Sequence, residues 1–148
     1  MACPFFFPTR RLEDGTWPHP SRLPLGGGWS GHCSVPGHEG AAPSNEELRE
    51  GCNLGYAASC VRLPAQRPYD AVRFSVSRDC GSQVDLWFAC EASHRPGTSG
   101  KLSYDASRAE WTSPHSDPRI QKMAECFLES YTLRKIQPAS QASFRDQP

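Results

Sequence analysis

The chain lacks several features that would assign it to a common class of protein. Its 148 residues include 16 Lys and Arg against 16 Asp and Glu, so there is no excess positive charge to bind a nucleic-acid backbone. No apolar run approaches the ~18 residues that a membrane-spanning helix needs. The N-terminal segment has no basic stretch, and prolines interrupt its apolar residues, which argues against a secretory signal. These absences predict a soluble, cytoplasmic protein that binds neither membrane nor nucleic acid; a protein partner stays open.

Motifs of the common enzyme classes are also missing. The sequence contains no G-x-S-x-G, no H-E-x-x-H, no P-loop and no G-x-G-x-x-G. A cysteine and a histidine such as Cys90 and His115 could meet in space as a nucleophilic pair, but no spacing supports it. The sequence therefore favours a non-catalytic protein.

Apolar residues are few, and the residues that disrupt regular structure are concentrated in the first half of the chain. The hydrophobic fraction is 37%, and most of the 14 prolines and 12 glycines lie in residues 1–68. Proline fixes φ and removes a donor, while glycine is costly to order, so this half has poor prospects of regular structure. We divide the chain into a loop-rich, cysteine-bearing region at 1–68, a regular region at 69–137 and a polar tail at 138–148.

The regular region begins with strand patterns. Apolar and polar residues alternate over 72–76 and again over 84–90, which predicts a β-hairpin. Residues 94–100 are rich in turn formers and are predicted to be a loop. Residues 101–104 and 109–112 predict a second, shorter hairpin, so we expect a four-stranded antiparallel meander.

A single long helix is predicted after these strands. It starts near Pro118, with Ser116 or Asp117 as the N-cap, and runs to about Arg134. One face carries its apolar residues at helical spacing, namely Ile120, Met123, Ala124, Phe127, Leu128 and Tyr131. The predicted fold class is therefore α+β: an irregular N-terminal half packed on an antiparallel meander with one amphipathic helix.

One short helix stands out in the N-terminal half. Ser44 can act as N-cap and Glu47 lies three residues later, which is a capping box. Gly51 is predicted to end the helix in the left-handed conformation. Cys52 would then lie just past the helix end.

Cysteine is the unusual residue of this chain. There are seven cysteines, an odd number, and in a reducing compartment such residues more often bind metal or fill the core than form disulfides. Four of them lie in the N-terminal half, which has little predicted regular structure to stabilise it: Cys3, Cys33, Cys52 and Cys60. Cys80, Cys90 and Cys126 are expected to be packing or incidental thiols, Cys80 having some chance of being reactive because it lies in a turn.

The four cysteines of the N-terminal half are the predicted metal ligands. Four thiolates suit either a tetrahedral zinc or an iron–sulfur cluster, specifically [4Fe-4S]. Structural zinc sites usually contain close C-x₂₋₄-C pairs, and none occurs here, whereas Cys3-Pro4 resembles the Cys-Pro end of many cluster motifs. If Cys52 and Cys60 bind one centre, the chain must bend between them, and Gly55 is the expected place. The cluster is the first choice and zinc the second.

Two alternatives remain open. His32 or His38 could replace one thiolate, since Cys33-x₄-His38 lies within zinc-ligand spacing. The chain could also bind no metal, because free cysteine is often a buried, small hydrophobic residue. The leading hypothesis is a non-catalytic metal-binding protein, and the alternative is a metal-free protein-interaction module with buried thiols.

Overall fold

The structure is a computed structural model, and it describes residues 2–13, 15, 17–56 and 60–136. The polar tail predicted at 138–148 lies outside these residues. The elements are β1 (Phe6–Arg11), a 3₁₀ turn (Pro20–Arg22), β2 (Trp29–Cys33), α1 (Asn45–Glu47), a π-helical turn (Leu48–Cys52), β3 (Ala71–Asp79), β4 (Gln83–Ala92), β5 (Arg95–Asp105), β6 (Glu110–Ser113) and α2 (Pro118–Ile136).

The C-terminal half is the predicted antiparallel meander with its helix. The strands lie in the order β3-β4-β5-β6, and apolar side chains of neighbouring strands pair, with Phe74 opposite Phe88 and Leu86 opposite Leu102. All four of these side chains are buried. Cross-strand apolar pairs on one face are what stabilise such a sheet, so the α+β prediction is confirmed.

The predicted loop at 94–100 is wrong. Arg95 pairs with Ala92 across β4, so only Ser93 and His94 connect the two strands, and β5 runs on from Arg95. Pro96 and Gly97 are exposed residues of the strand. The backbone hydrogen bonds to β4 outweigh the local preference of Pro96 and Gly97 for a turn. This is an effect of tertiary structure.

Helix α2 packs its apolar face on β1 and β3. Its buried residues include Ile120, Met123 and Leu128, and the ring of Phe127 lies 5.8 Å from that of Phe74 between centroids. Asp117 is the residue that caps it: Asp117 Oδ1 accepts from the Arg119 N–H at 2.9 Å. Among the described residues, no helix combines the length and the apolar character needed to cross a membrane.

The N-terminal half contains more regular structure than the sequence predicts. β1 and β2 form a two-stranded antiparallel sheet, with Phe6 opposite Cys33 and Arg11 opposite Trp29. Phe6 and Trp29 are buried in the same hydrophobic cluster as the meander and α2. The strands form because this shared core buries their aromatic side chains, although Pro8 and a bulge before Arg10 hide the alternation in the sequence.

The short helix begins as predicted but does not end at Gly51. Ser44 Oγ accepts from the Glu47 N–H at 3.1 Å, and the Ser44 N–H donates to Glu47 Oε1 at 2.9 Å, so the capping box is confirmed. The chain then continues as the π-helical turn through Cys52, and the left-handed residue is Gly55, with φ 71°. The extra turn places Cys52 directly before the completely buried Asn53.

Candidate metal centre

The four cysteines predicted as ligands line one cavity. Cys3, Cys33, Cys52 and Cys60 come from four separate segments of the N-terminal half, and the cavity they share has a volume of about 390 Å³. This volume falls within the range of ~300–1,000 Å³ that is usual for ligand and cofactor sites. All seven cysteines of the chain are free thiols, so no disulfide ties up any of the four.

Cys3 lies at the first corner of a tight turn. Pro4 follows it, and the Phe6 N–H donates to the Cys3 carbonyl at 3.0 Å, so the fixed φ of proline favours this turn. The backbone N–H groups of Phe5 and Phe6 also favour the thiolate form of Cys3 and act to lower its pKa. Backbone hydrogen bonds also fix the residue that precedes this turn. Ala2 exchanges two backbone hydrogen bonds with Val72 of β3, at 2.6 and 2.8 Å.

Cys33 ends strand β2 and closes a loop. Its N–H donates to Ala41 O and its carbonyl accepts from the Gly40 N–H, both at 2.9 Å. The Val35 N–H donates to the Cys33 sulfur at 3.4 Å. Because β2 pairs with β1, this sulfur is held beside the turn that carries Cys3. A backbone N–H group therefore donates to one of the four sulfurs.

Cys52 lies at the end of the π-helical turn, and its carbonyl accepts from the Cys3 N–H at 3.1 Å. The next residue, Asn53, is completely buried. Asn53 Oδ1 accepts from the Trp29 N–H at 3.0 Å, and its Nδ2 donates to Trp29 O at 2.9 Å and to Leu48 O at 3.0 Å. One amide side chain thus fixes the segment of Cys52 against the start of β2.

Asn53 is a residue that the sequence did not reveal. An asparagine after a helix is typical of a solvent-facing loop, and only tertiary structure turns it inward. The N–H donors of Phe5, Phe6 and Val35 were also not predicted, although Cys3-Pro4 was a partial signal of a turn at the first ligand.

Cys60 is half-buried at the opening of the cavity. Its carbonyl accepts from the Leu63 N–H at 3.2 Å, which forms a turn. Within that turn the Arg62 guanidinium pairs with Glu47 Oε2 at 2.8 Å, so the turn is attached to α1. This pair is partly exposed, and we expect it to orient the segment more than to stabilise the fold.

Burial and mutual repulsion act on the thiols of this cavity. Burial raises the pKa of Cys3 to about 11, the Phe5 and Phe6 N–H groups oppose the rise, and the neighbouring Cys33 and Cys60 add to it. Burial also raises the pKa of Cys52 to about 12, helped by the charges of Cys3, Cys33 and Cys60. Without a cation these thiols keep their protons. A metal centre would supply the positive charge that four clustered thiolates need.

The rest of the cavity lining is partly apolar and partly charged. Its apolar walls are Phe5, Phe6, Val35, Val61 and Leu63, and Glu46, Glu47 and Glu50 stand around it on α1 and the π-helical turn. Val61 beside Cys60 is 94% exposed. Apolar walls exclude water from bound thiolates, and the exposed edge lies next to Cys60.

The other candidate ligands lie elsewhere. His32 stacks on Phe7 with ring centroids 4.9 Å apart, His38 is exposed in the loop after β2, and neither lines the cavity. Cys80 is exposed, whereas Cys90 and Cys126 are buried away from the cavity.

No compact single-ion site is formed by these side chains. Throughout the part of the chain that the structure describes, no three His, Cys, Asp or Glu side chains are grouped so that they could hold a metal ion. A tetrahedral zinc with Zn–S bonds of ~2.3 Å requires sulfurs within ~4 Å of one another. The four cysteines line one cavity without forming such a group.

No protein-family model, curated protein or solved structure matches this chain. The chemistry of the cavity is therefore the guide to its function.

Proposed function

We propose that the protein is a non-catalytic iron–sulfur protein in which Cys3, Cys33, Cys52 and Cys60 hold a [4Fe-4S] cluster. The observation that carries the proposal is that four cysteines from four separate segments line one cavity. Cysteines that merely fill a core have no reason to collect in this way, because each could pack against any apolar neighbour. Four thiolates are the full ligand set of such a cluster.

The hydrogen bonds at the sulfurs support the same proposal. The Val35 N–H donates to the Cys33 sulfur, and the Phe5 and Phe6 N–H groups act to lower the pKa of Cys3. N–H donors stabilise a thiolate more than a neutral thiol, and hydrogen bonds to sulfur are one of the means by which proteins adjust cluster potentials. The donors are backbone groups held by a turn and a strand, so they are already oriented before metal binds.

The lack of a ready single-ion site among the described side chains disfavours zinc relative to a cluster. A cluster has several iron atoms between its ligands and accepts more widely spaced sulfurs than one zinc ion does. The sequence spacing, which lacks a close pair of cysteines, favours the same choice. Zinc is the second candidate metal.

The cluster would stabilise the N-terminal half and could respond to redox conditions. It would cross-link the turn at Cys3, the end of β2, the π-helical turn and the segment of Cys60, so its binding energy would be part of their folding energy. Free thiols of this kind suit a reducing compartment such as the cytoplasm. The exposed edge at Val61 and Cys60 would give a protein partner access to the centre.

Anaerobic purification with metal analysis tests the proposal. We expect brown protein containing iron and acid-labile sulfide, with a visible absorption band that dithionite bleaches. Cys60→Ser should lose most of the iron. Cys126→Ser, which changes a cysteine outside the cavity, should keep the wild-type iron content. Colourless wild-type protein with one zinc would replace the cluster by the second candidate, and folded wild-type protein without metal would refute both.

A metal-free protein-interaction module is the second candidate function. It is favoured by the finding that the described side chains form no ready single-ion site. The raised pKa values of the Cys3 and Cys52 thiols also suit neutral packing groups in a chain without metal. Folded, metal-free protein from the anaerobic preparation would select this function.

A further inference from the structure

Three residues with an unusual backbone conformation lie together next to the cysteine segment. Tyr56, Ser93 and His94 have φ values of 53°, 51° and 61°. This left-handed region is costly for residues other than glycine and is held only where the surroundings enforce it. Tyr56 follows the π-helical turn, whereas Ser93 and His94 connect β4 to β5. Their contact joins the N-terminal half to the meander.

Side-chain contacts join these residues. The rings of Tyr56 and His94 are stacked, with centroids 4.2 Å apart and planes 11° from parallel. The His94 N–H donates to Tyr56 Oη at 3.1 Å, and the Tyr56 hydroxyl donates to Oε1 of the buried Glu91 at 2.9 Å. The Ser93 N–H donates to Asp70 Oδ2 at 2.8 Å. Tyr56 is thus held by its ring and by its hydroxyl.

The sequence of the turn is a poor choice for the hairpin alone. A two-residue connection with both residues at positive φ is a type I′ turn, which Asn-Gly fits best. Ser93 and His94 occupy it although neither favours that conformation. Glycine at position 94 would relieve the backbone, but it would remove the ring that stacks on Tyr56. The stack accounts for a histidine in this turn.

Tyr56 lies midway between two of the proposed ligands. It is four positions after Cys52 and four before Cys60. Four extended residues span at most roughly 14 Å, so fixing Tyr56 limits where the Cys60 sulfur can lie. On its other side, Cys60 is restrained by the Arg62–Glu47 ion pair at 2.8 Å. Cys60 therefore lies between two restrained residues, Tyr56 and Arg62.

We propose that Tyr56 and His94, which we call the latch, position Cys60 as the fourth ligand of the cavity. The inference rests on the proposed metal centre, but the latch can also be measured without metal. Opening the stack would weaken one of the two restraints on the position of Cys60, and the fourth sulfur would then leave the cavity more often. A centre held by three cysteines and one loosely held cysteine is expected to lose its metal faster.

The decisive variant replaces the turn by its ideal sequence, Ser93→Asn with His94→Gly. We expect its melting temperature to equal or exceed that of the wild type, because Asn-Gly suits the turn. Iron release to a chelator under anaerobic conditions should nevertheless be at least about fivefold faster, since a loss of local restraint changes the opening population by such factors. Ser93→Asn alone keeps the ring and should release iron at the wild-type rate.

Several results would overturn the latch. Iron release at the wild-type rate in the double variant would do so, and so would equally fast release in Ser93→Asn alone. A melting temperature that falls together with iron retention would show that the turn acts only on overall stability. Tyr56→Phe, which keeps the stack and loses the hydroxyl, should lie between the wild type and the double variant.

A second measurement separates failure of the latch from failure of the metal proposal. In metal-free protein, mass spectrometry can follow alkylation of Cys60 by iodoacetamide, with the buried Cys126 as an internal control for global opening. We expect Cys60 to react at least about fivefold faster in the double variant and Cys126 to be unchanged. This result in a protein that never holds iron would keep the latch and refute the cluster. Equal Cys60 rates would overturn the latch whether or not iron is bound.

Discussion

Replacing Asn53 by alanine tests whether one buried amide holds the cavity segments together. Asn53 is completely buried and makes three hydrogen bonds, two to Trp29 of β2 and one to Leu48 of the π-helical turn. Alanine keeps the backbone but removes the side-chain amide, and with it all three hydrogen bonds. The segment of Cys52 would then lose its attachment to the strand that carries Cys33.

The expected loss of stability follows from the groups left without a partner. The N–H and the carbonyl of Trp29 would each lose the side-chain bond at a buried position, at a cost of about 1–3 kcal/mol per group. The Leu48 carbonyl also accepts from the Asn53 backbone N–H at 3.2 Å, so it stays paired and adds little. We expect a decrease of about 3 kcal/mol in the free energy of unfolding, a large part of the ~5–15 kcal/mol typical of domains.

Urea unfolding of metal-free protein, followed by circular dichroism and tryptophan fluorescence, measures this change. Metal-free protein is required because a bound metal would add its own linkage term. The matched control is Asn45→Ala, the same substitution at an exposed position of α1, which should stay within about 0.5 kcal/mol of wild type. Asn53→Asp keeps the shape but replaces the donor, and it should be as destabilising as alanine. A loss below about 1 kcal/mol for Asn53→Ala would refute the reasoning, because three buried hydrogen bonds cannot be removed so cheaply.

Three further predictions concern other parts of the chain. In metal-loaded protein, Cys60→Ser should speed hydrogen exchange in the N-terminal half and leave the meander and α2 protected, whereas Cys126→Ser should have a smaller effect; equal loss in both halves would mean that no separate metal cross-link exists. Ser44→Ala removes the side-chain acceptor for the Glu47 N–H but keeps the Ser44 backbone N–H that donates to Glu47 Oε1, and it should lower the free energy of unfolding by about 1 kcal/mol in a urea titration; no change would show that α1 does not depend on its cap. Several hydrogen-bond donors hold the pKa of the Asp79 carboxyl far below its ordinary value, and the Lys135 ammonium makes the largest contribution. A carboxyl whose pKa is lowered by folding stabilises the fold at pH values above its unfolded pKa of ~3.9, and this contribution is lost as the pH falls below that value. Asp79→Asn should therefore lower the melting temperature at pH 7 and flatten its decline in acid. Parallel curves of melting temperature against pH for variant and wild type would contradict this.

Local pattern was sufficient for much of the C-terminal half. The alternation at 72–76 and 84–90 and the helical spacing from Pro118 correspond to β3, β4 and α2, because each of these elements buries one face and its sequence carries that face's period. The start of β5 was missed because Pro96 and Gly97 favour turns locally. Its pairing with β4 is a non-local interaction that no window of the sequence displays.

The N-terminal half was harder to predict for a related reason. β1 and β2 pair over a long separation in sequence, and Phe6 and Trp29 are buried against residues of the other half. Prolines and glycines obscure the period of these strands. The capping box of α1 was predictable because it lies within four residues, whereas the π-helical turn after it is followed by Asn53, which bonds to Trp29 in a distant part of the chain.

The sequence by itself determined the fold class, the capping box, the main helix and the choice of Cys3, Cys33, Cys52 and Cys60 as the set to consider. These follow from residue types and short spacings, which act before the chain is folded. Only the tertiary structure decided that the four cysteines line one cavity, that Asn53 faces inward and that Tyr56 stacks on His94. Each of these contacts joins segments far apart in the chain. Shared burial against the meander brings them together, and the spacing of residues along a sequence contains no measure of that distance.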